Sequence, residues 1–186
     1  MAERCAALLR AVNVGGRSLA MAELRTMLTA MGCSDVQTIL QSGNAVFVAP
    51  PKRAATIGAV IENAIHARFA VQSDVFIRSA ADIASVIAAN PYPREARDDP
   101  ARLVVFFLAA PPAPAEVAAA EAAIVGRETL RAIGTHLYVR YPDGQGSSKL
   151  TNAVLERKLG VRGTARNWNT VLRIASALGL ESVRDR

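Results

Sequence analysis

The order in which apolar periodicities follow one another along residues 1–79 constrains the fold more than any other feature. Cys5–Val12 has the pattern of a strand, and Ala20–Met31 has apolar residues at helical spacing before Gly32. Two strand patterns, a long helical pattern and a strand at Ser73–Ile77 follow. The order βαββαβ is typical of a ferredoxin-like sandwich, in which two helices pack on one face of an antiparallel sheet.

The second and third strands of this half are predicted to form a hairpin. Val36–Leu40 and Ala45–Val48 flank the short connection Ser42-Gly43-Asn44, where glycine can adopt the positive φ that other residues resist. The helices on either side are expected to bury one apolar face each. These faces consist of Met21, Leu24, Met27 and Leu28 in the first helix, and Ile57, Val60, Ile61, Ala64, Ile65 and Phe69 in the second.

A weaker copy of the pattern follows. Leu103–Leu108 is an unbroken apolar run typical of a buried strand, and Asn167 is the expected N-cap of a final helix. The other expected elements are a helix at 80–89, a loop at 90–99, a helix at 114–123, strands at 128–133 and 136–141, and a helix at 148–159. We therefore expect an α+β fold with a ferredoxin-like subdomain at 1–79. A second α+β subdomain with C-terminal helices is expected at 80–186, forming one compact unit without a flexible linker.

Composition places the chain among globular cytoplasmic proteins. At 186 residues and 51% hydrophobic content it can bury a sizeable core. No apolar run approaches the roughly 20 residues that cross a bilayer, so no membrane association is expected. Cys5 and Cys33 form neither a CxxC pair nor a disulfide framework, which favours ordinary reduced thiols.

The net charge of +6 is concentrated near the C-terminus. Residues 1–136 contain 13 basic and 12 acidic side chains, whereas residues 137–186 contain 9 basic and 4 acidic ones. This distribution is compatible with a solvated face and a frayed tail, or with a surface that binds anions or nucleic acid.

Residues that would indicate a known chemistry are scarce. His66 and His136 have no partner at the spacing of a zinc site, and Ser42 is not part of a G-x-S-x-G elbow. No pair of carboxylates stands out for general acid and base catalysis. The sequence therefore predicts no metal and no cofactor.

Polar residues at the end of the first strand form one candidate site. Arg10 and Asn13 precede Gly15 and Gly16, whose backbone N–H groups could converge on an anion just before a helix. The loop matches neither common nucleotide-binding glycine motif, and a tight strand-to-helix turn explains it equally well. The hairpin adds further candidates, which are Gln41, Ser42 and Asn44.

Two segments near the C-terminus form a second candidate. In Ser147–Thr151 a serine could cap a helix and leave Lys149 in its first turn, where the helix dipole disfavours a cation unless an anion is present. Arg166–Thr170 combines a guanidinium, two amides, an indole and a hydroxyl. Structural roles remain open for both segments, because Asn167 also suits a helix cap and Trp168 also suits the core.

Taken together, these motifs resemble the bacterial family of domains of unknown function numbered 1697. The resemblance rests on L-L-R-x-V-N-V-G-G, T-x-x-Q-S-G-N-x-V-F, S-K-L-T-N-x-x-L-E and T-x-R-N-W-N-T. Ala11 and Ile39 depart from the usual glycine and tyrosine. The resemblance implies two somewhat ferredoxin-like α+β subdomains and no established activity.

The leading functional hypothesis is an anion-binding site at the junction of the two halves, for a phosphate-bearing small molecule or a nucleic acid. Its expected residues are Arg10, Asn13, Gly15, Gly16, Gln41, Ser42, Asn44, Lys149, Thr151, Arg166, Asn167 and Asn169. One alternative is an enzyme that acts on a phosphate- or carboxylate-bearing substrate through Lys149 or Ser42. Another is a protein-interaction module whose polar motifs are structural. The sequence indicates no oligomeric state.

Overall fold

Two four-stranded antiparallel sheets organise the protein in a computed structural model that describes residues 4–10, 12 and 19–180. Sheet A has the strand order β2-β3-β1-β4, and sheet B has the order β6-β7-β5-β8. Each order places the first and third strands of a βαββαβ unit at the centre, as in a ferredoxin-like sandwich. The predicted α+β class with two ferredoxin-like subdomains is confirmed.

Sheet A and its helices follow the predicted order closely. The elements are β1 (Arg4–Leu9), α1 (Met21–Ala30), β2 (Ser34–Thr38), β3 (Asn44–Val48), a 3₁₀ helix (Pro51–Thr56), α2 (Ile57–Phe69) and β4 (Val75–Ser79). All four predicted apolar residues of α1 are buried, since they face the same core as alternate residues of β1 and β3. Register is set by the pairing of Ala7 with Ala45 and with Ile77.

Sheet B repeats this arrangement after two connecting helices. The elements are α3 (Ala80–Ala88), α4 (Pro93–Asp98), β5 (Leu103–Leu108), α5 (Pro114–Glu121), β6 (Thr129–Ile133), β7 (His136–Arg140), a 3₁₀ helix (Gln145–Ser147), α6 (Asn152–Leu159), β8 (Gly163–Asn167) and α7 (Trp168–Ala177). Every residue of β5 is buried, as its unbroken apolar run predicts. Val104, Phe106 and Leu108 share a core with residues of α6.

Three elements of the second half differ most from the sequence-based expectation. The strand β8 was not predicted, because Gly163–Asn167 is short and has too few apolar residues for a strand pattern. The segment 93–98, expected to be a loop, forms α4, which begins at a proline as many helices do. The helix expected from residue 148 begins at Asn152.

The contacts among Cα atoms divide the chain into two units. Residues up to Ser85 and those from Arg173 onward form one unit, and Val86–Leu172 form the other. Helices α3 and α7 each continue from one unit into the other, so the expected domain boundary between residues 79 and 80 stays a prediction. Within the described parts of the chain, no helix is both long and apolar enough to cross a membrane.

Candidate functional site

One end of sheet A brings the first predicted motif together with the hairpin. The backbone N–H of Leu9 donates to the carbonyl of Gly43 at 2.8 Å, and the N–H of Arg10 donates to the carbonyl of Asp74 at 2.9 Å. The hydroxyl of Ser73 donates to the carbonyl of Arg10 at 2.8 Å. Arg10 therefore lies between the β2–β3 hairpin and the residues that lead into β4.

The Arg10 side chain forms a partly exposed ion pair with Asp74. Its Nη1 lies 3.6 Å from the Asp74 Oδ2, beyond the usual hydrogen-bond range of about 2.7–3.2 Å. The two side chains are 35% and 25% exposed. Both charged groups are therefore reachable from solvent at this end of the sheet.

The Asn44 side chain links residues of the β2–β3 hairpin by hydrogen bonds. It is fully buried, and its Nδ2 donates to the carbonyl of Ile39 at 2.9 Å and to the Ser42 Oγ at 3.0 Å. Gly43 has φ +75°, as the sequence predicts for this connection. Leu40 also has a positive φ, +59°, and this residue is 44% exposed. The loop thus adopts a conformation that local sequence alone would not favour.

We expect Asn44→Ala to lower the free energy of unfolding by about 1–3 kcal/mol, because it removes a buried amide and its hydrogen bonds to the Ile39 carbonyl and the Ser42 hydroxyl. Urea denaturation of the full chain measures this loss. The matched control is Gln37→Ala at an exposed position of β2, expected to change stability by less than about 0.5 kcal/mol. Equal stability of the two variants would contradict the structural role of Asn44.

The structure changes the interpretation of Lys149. Thr151 is the N-cap of α6, and its Oγ1 accepts from the N–H of Val154 at 3.3 Å. Lys149 therefore precedes the helix, and the prediction that it occupies the first turn is wrong. The Ser148 hydroxyl donates to Glu128, which lowers the pKa of that carboxyl, and accepts from the N–H of Leu150. Lys149 itself is exposed.

Arg166 is buried at the end of β8. Its side chain is 7% exposed, and Nη1 donates to the Thr164 Oγ1 at 2.8 Å and to the carbonyl of Ala165 at 2.7 Å. Burial lowers the pKa of its guanidinium to about 10, since the low-dielectric surroundings disfavour the charged form. This position suits a role in organising β8 as well as one in binding.

Asn167 is the cap of α7, as predicted. Its Oδ1 accepts from the backbone N–H of Thr170 at 3.0 Å and from the Thr170 hydroxyl at 2.8 Å. The neighbouring Trp168 is buried and Asn169 is exposed. The amide oxygen of Asn167 thus accepts two hydrogen bonds from Thr170, and Asn169 is an exposed amide of this motif.

The structure does not place all the predicted site residues in one kind of position. Arg10 lies at the same end of sheet A as the exposed side chains of Gln41 and Ser42. Asn13, Gly15 and Gly16 lie outside the described residues. Asn44, Thr151 and Asn167 hold backbone groups, Arg166 is buried, and Lys149 and Asn169 are exposed. The expectation that both motifs line one site at the junction of the halves stays a prediction.

Sequence reasoning missed Ser73 and Asp74. Both contact Arg10 across the β1–β4 pairing, from more than sixty residues away. The signal was present in the predicted βαββαβ order, because that order makes β1 and β4 neighbours and brings the residues before β4 beside the end of β1.

The polar groups described at this end of sheet A include a guanidinium, a hydroxyl, an amide and a carboxylate. The Ser42 Oγ accepts from the Asn44 amide, which cannot act as a base toward the hydroxyl. No group of three or more histidine, cysteine, aspartate or glutamate residues that could hold a metal ion occurs in the described part of the chain. Guanidinium, hydroxyl and amide groups are suitable partners for an anion.

Comparison with known proteins supports the fold and identifies no activity. A family model described as "Protein of unknown function (DUF1697)" matches residues 2–138. The conserved bacterial protein SP0830 from Streptococcus pneumoniae has a similar solved structure, with a TM-score of 0.73 and 22% sequence identity over 96% of this chain and 99% of that one. The comparison with curated proteins found no match.

Proposed function

Because the chain belongs to the DUF1697 family of proteins of unknown function, we infer its function from its own residues. We propose that it binds a phosphate-bearing small molecule at the end of sheet A that carries Arg10. The observation that carries this proposal is the partly exposed ion pair of Arg10 with Asp74, at the same end of sheet A as the exposed Gln41 and Ser42.

The charges at this end favour a compact anion. Arg10 supplies a planar guanidinium that pairs with phosphate oxygens in a bidentate manner, and Ser42 and Gln41 supply neutral donors. The net charge of +6 attracts anions to the chain as a whole. Asp74 would repel the ligand, so binding requires the phosphate to compete with this carboxylate for Arg10.

A small molecule fits these residues better than a nucleic acid. Binding of single strands relies on aromatic side chains for base stacking, and only 5% of this chain is aromatic. Two of the three tyrosines, Tyr138 and Tyr141, and the single tryptophan, Trp168, are buried. Nucleic-acid binding thus remains an outcome for the experiment to detect.

We expect phosphate-bearing ligands to raise the melting temperature of the wild type, and Arg10→Gln to abolish that increase. A ligand at 100 times its Kd stabilises the native state by about 2.7 kcal/mol, which is several degrees for a chain of this size. Thermal unfolding is measured with inorganic phosphate, nucleoside monophosphates, sugar phosphates and a short oligonucleotide, at low and high salt.

The matched control is Arg53→Gln, an exposed arginine in the 3₁₀ helix that follows the far end of β3. This variant is expected to keep the full ligand-induced increase. An equal response of both variants, or no increase with any phosphate compound, would contradict the proposal. An increase with the oligonucleotide alone that falls steeply with salt would indicate nucleic acid instead.

The enzymatic alternative has weaker support. Lys149 is exposed, and the Ser42 hydroxyl accepts a hydrogen bond from the Asn44 amide, which is not a base. A stability loss in Arg10→Gln without any ligand effect would instead favour the third hypothesis, in which the polar motifs are structural.

A further inference from the structure

The two units repeat the same backbone arrangement at one end of each sheet. The hydrogen bond from Leu9 N–H to the hairpin residue Gly43 is matched by one from Leu108 N–H to the carbonyl of Thr135, at 2.9 Å. The bond from Arg10 N–H to the residue before β4 is matched by one from Ala109 N–H to the carbonyl of Arg162, at 2.9 Å. The end of sheet B at Ala109 is therefore the counterpart of the end of sheet A at Arg10.

A groove of about 430 Å³ lies at this counterpart end of sheet B. It is bounded by the loop after β5, by α5 and by the β6–β7 hairpin, and its apolar walls include Pro111, Pro112, Val117 and Ala132. A volume of this size lies within the range of about 300–1,000 Å³ that is usual for small-molecule sites. None of its lining residues belongs to the site proposed for Arg10.

An exposed ion pair lies in the groove wall. The Arg131 Nη1 lies 3.5 Å from the Glu121 Oε1, and the two side chains are 64% and 47% exposed. The same Nη1 donates to the carbonyl of Leu130 at 2.9 Å, which orients the guanidinium along the edge strand β6. The separation from Glu121 exceeds a hydrogen bond, so an anionic ligand can compete for this arginine at small cost.

The charges of the groove select among possible ligands. A cation would bind beside Glu121 but would be repelled by Arg131 and by the net charge of +6. A compact phosphate would leave the apolar walls of the groove uncovered. A single carboxylate suits the guanidinium, and the proline-lined walls can cover an apolar body.

We propose that this groove binds a small molecule with an apolar body and one carboxylate, whose carboxylate contacts Arg131. This site is independent of the phosphate site proposed for Arg10, and the failure of either proposal leaves the other unchanged. The guanidinium of Arg131 calls for a carboxylate, and the apolar walls and the volume of the groove call for an apolar body.

Three isosteric probes test this proposal on the full chain, namely 4-phenylbutyrate, its neutral amide and 4-phenylbutylamine. Binding is followed by titration of backbone amide chemical shifts. We expect the carboxylate to bind at least tenfold more tightly than the amide or the amine, with shifts at Ala118, Ala132 and Gly134.

Two variants with matched controls locate the site. Ala118→Phe places a ring in the groove from an exposed position of α5, and is expected to abolish binding, whereas Ala115→Phe on the same helix is expected to leave it unchanged. Arg131→Gln is expected to weaken binding about tenfold, and Arg127→Gln, an exposed arginine that pairs with Asp143, to have no effect. Equal affinity for the three probes, tighter binding of the amine, or undiminished binding by Ala118→Phe would each overturn the proposal.

Discussion

Gly163→Ala is expected to destabilise the protein by about 3 kcal/mol or more, because the added methyl group has no space in a packed core. A Cβ at this position would lie 2.5 Å from Cε1 of Phe106 and 2.9 Å from the carbonyl oxygen of Phe107. Chemical denaturation of the full chain measures the loss, which corresponds to a decrease of roughly 6–12 °C in melting temperature.

The surroundings of Gly163 leave little room for relaxation. Gly163 pairs with Leu108 in the ladder between β5 and β8, and Phe106 is fully buried in the core of sheet B. The aromatic ring cannot move outward without displacing that core, and the Phe107 carbonyl belongs to the central strand of the sheet. Both contacts therefore resist the new side chain.

Gly146→Ala is the matched control for this prediction. A Cβ at Gly146 meets no atom within 4 Å, so the substitution is expected to change stability by less than about 0.5 kcal/mol. The double variant Gly163→Ala with Phe106→Leu identifies the cause, because a smaller side chain at 106 should recover part of the loss. Losses that simply add would show that the Phe106 ring is not what opposes the methyl group.

An element can be predicted from sequence when the contacts that stabilise it are local, as a comparison of α1 with β8 shows. In α1 the buried face repeats at helical spacing, and Gly32 follows its end, so the residues themselves determine the helix. Strand β8 is different, since Gly163 is small for packing reasons and Arg166 is buried by distant parts of the chain. Its strand conformation depends on pairing with β5, which no local pattern reveals.

The candidate site shows the same division. The capping role of Asn167 was predicted because a cap depends on residues two to three positions away. The capping role of Thr151 was not predicted, because Ser147 and Ser148 were equally plausible N-caps. Asp74 and Ser73 reach Arg10 only through the sheet topology, so they became visible when the order of the strands was known.

Gly43→Ala is the second substitution for which a large loss is expected, about 2–4 kcal/mol. Two costs contribute, of which the first is the positive φ of +75°, unfavourable for any residue with a Cβ by about 1–2 kcal/mol. The second is steric, since the Cβ would lie 2.3 Å from Cγ2 of Val12 and 2.9 Å from Cβ of Leu9. Urea denaturation of the full chain measures the sum.

Gly179→Ala separates these two costs. Gly179 has a similar φ of +82°, and a Cβ there would meet no atom within 4 Å, so this variant carries the conformational cost alone. It is expected to lose about 1–2 kcal/mol. A larger loss in Gly43→Ala than in Gly179→Ala would assign the difference to the contact with β1 and Val12. Wild-type stability of Gly43→Ala would contradict the close approach of the hairpin to β1. It would equally contradict the placement of Ser42 at the same end of sheet A as Arg10, on which the phosphate site depends.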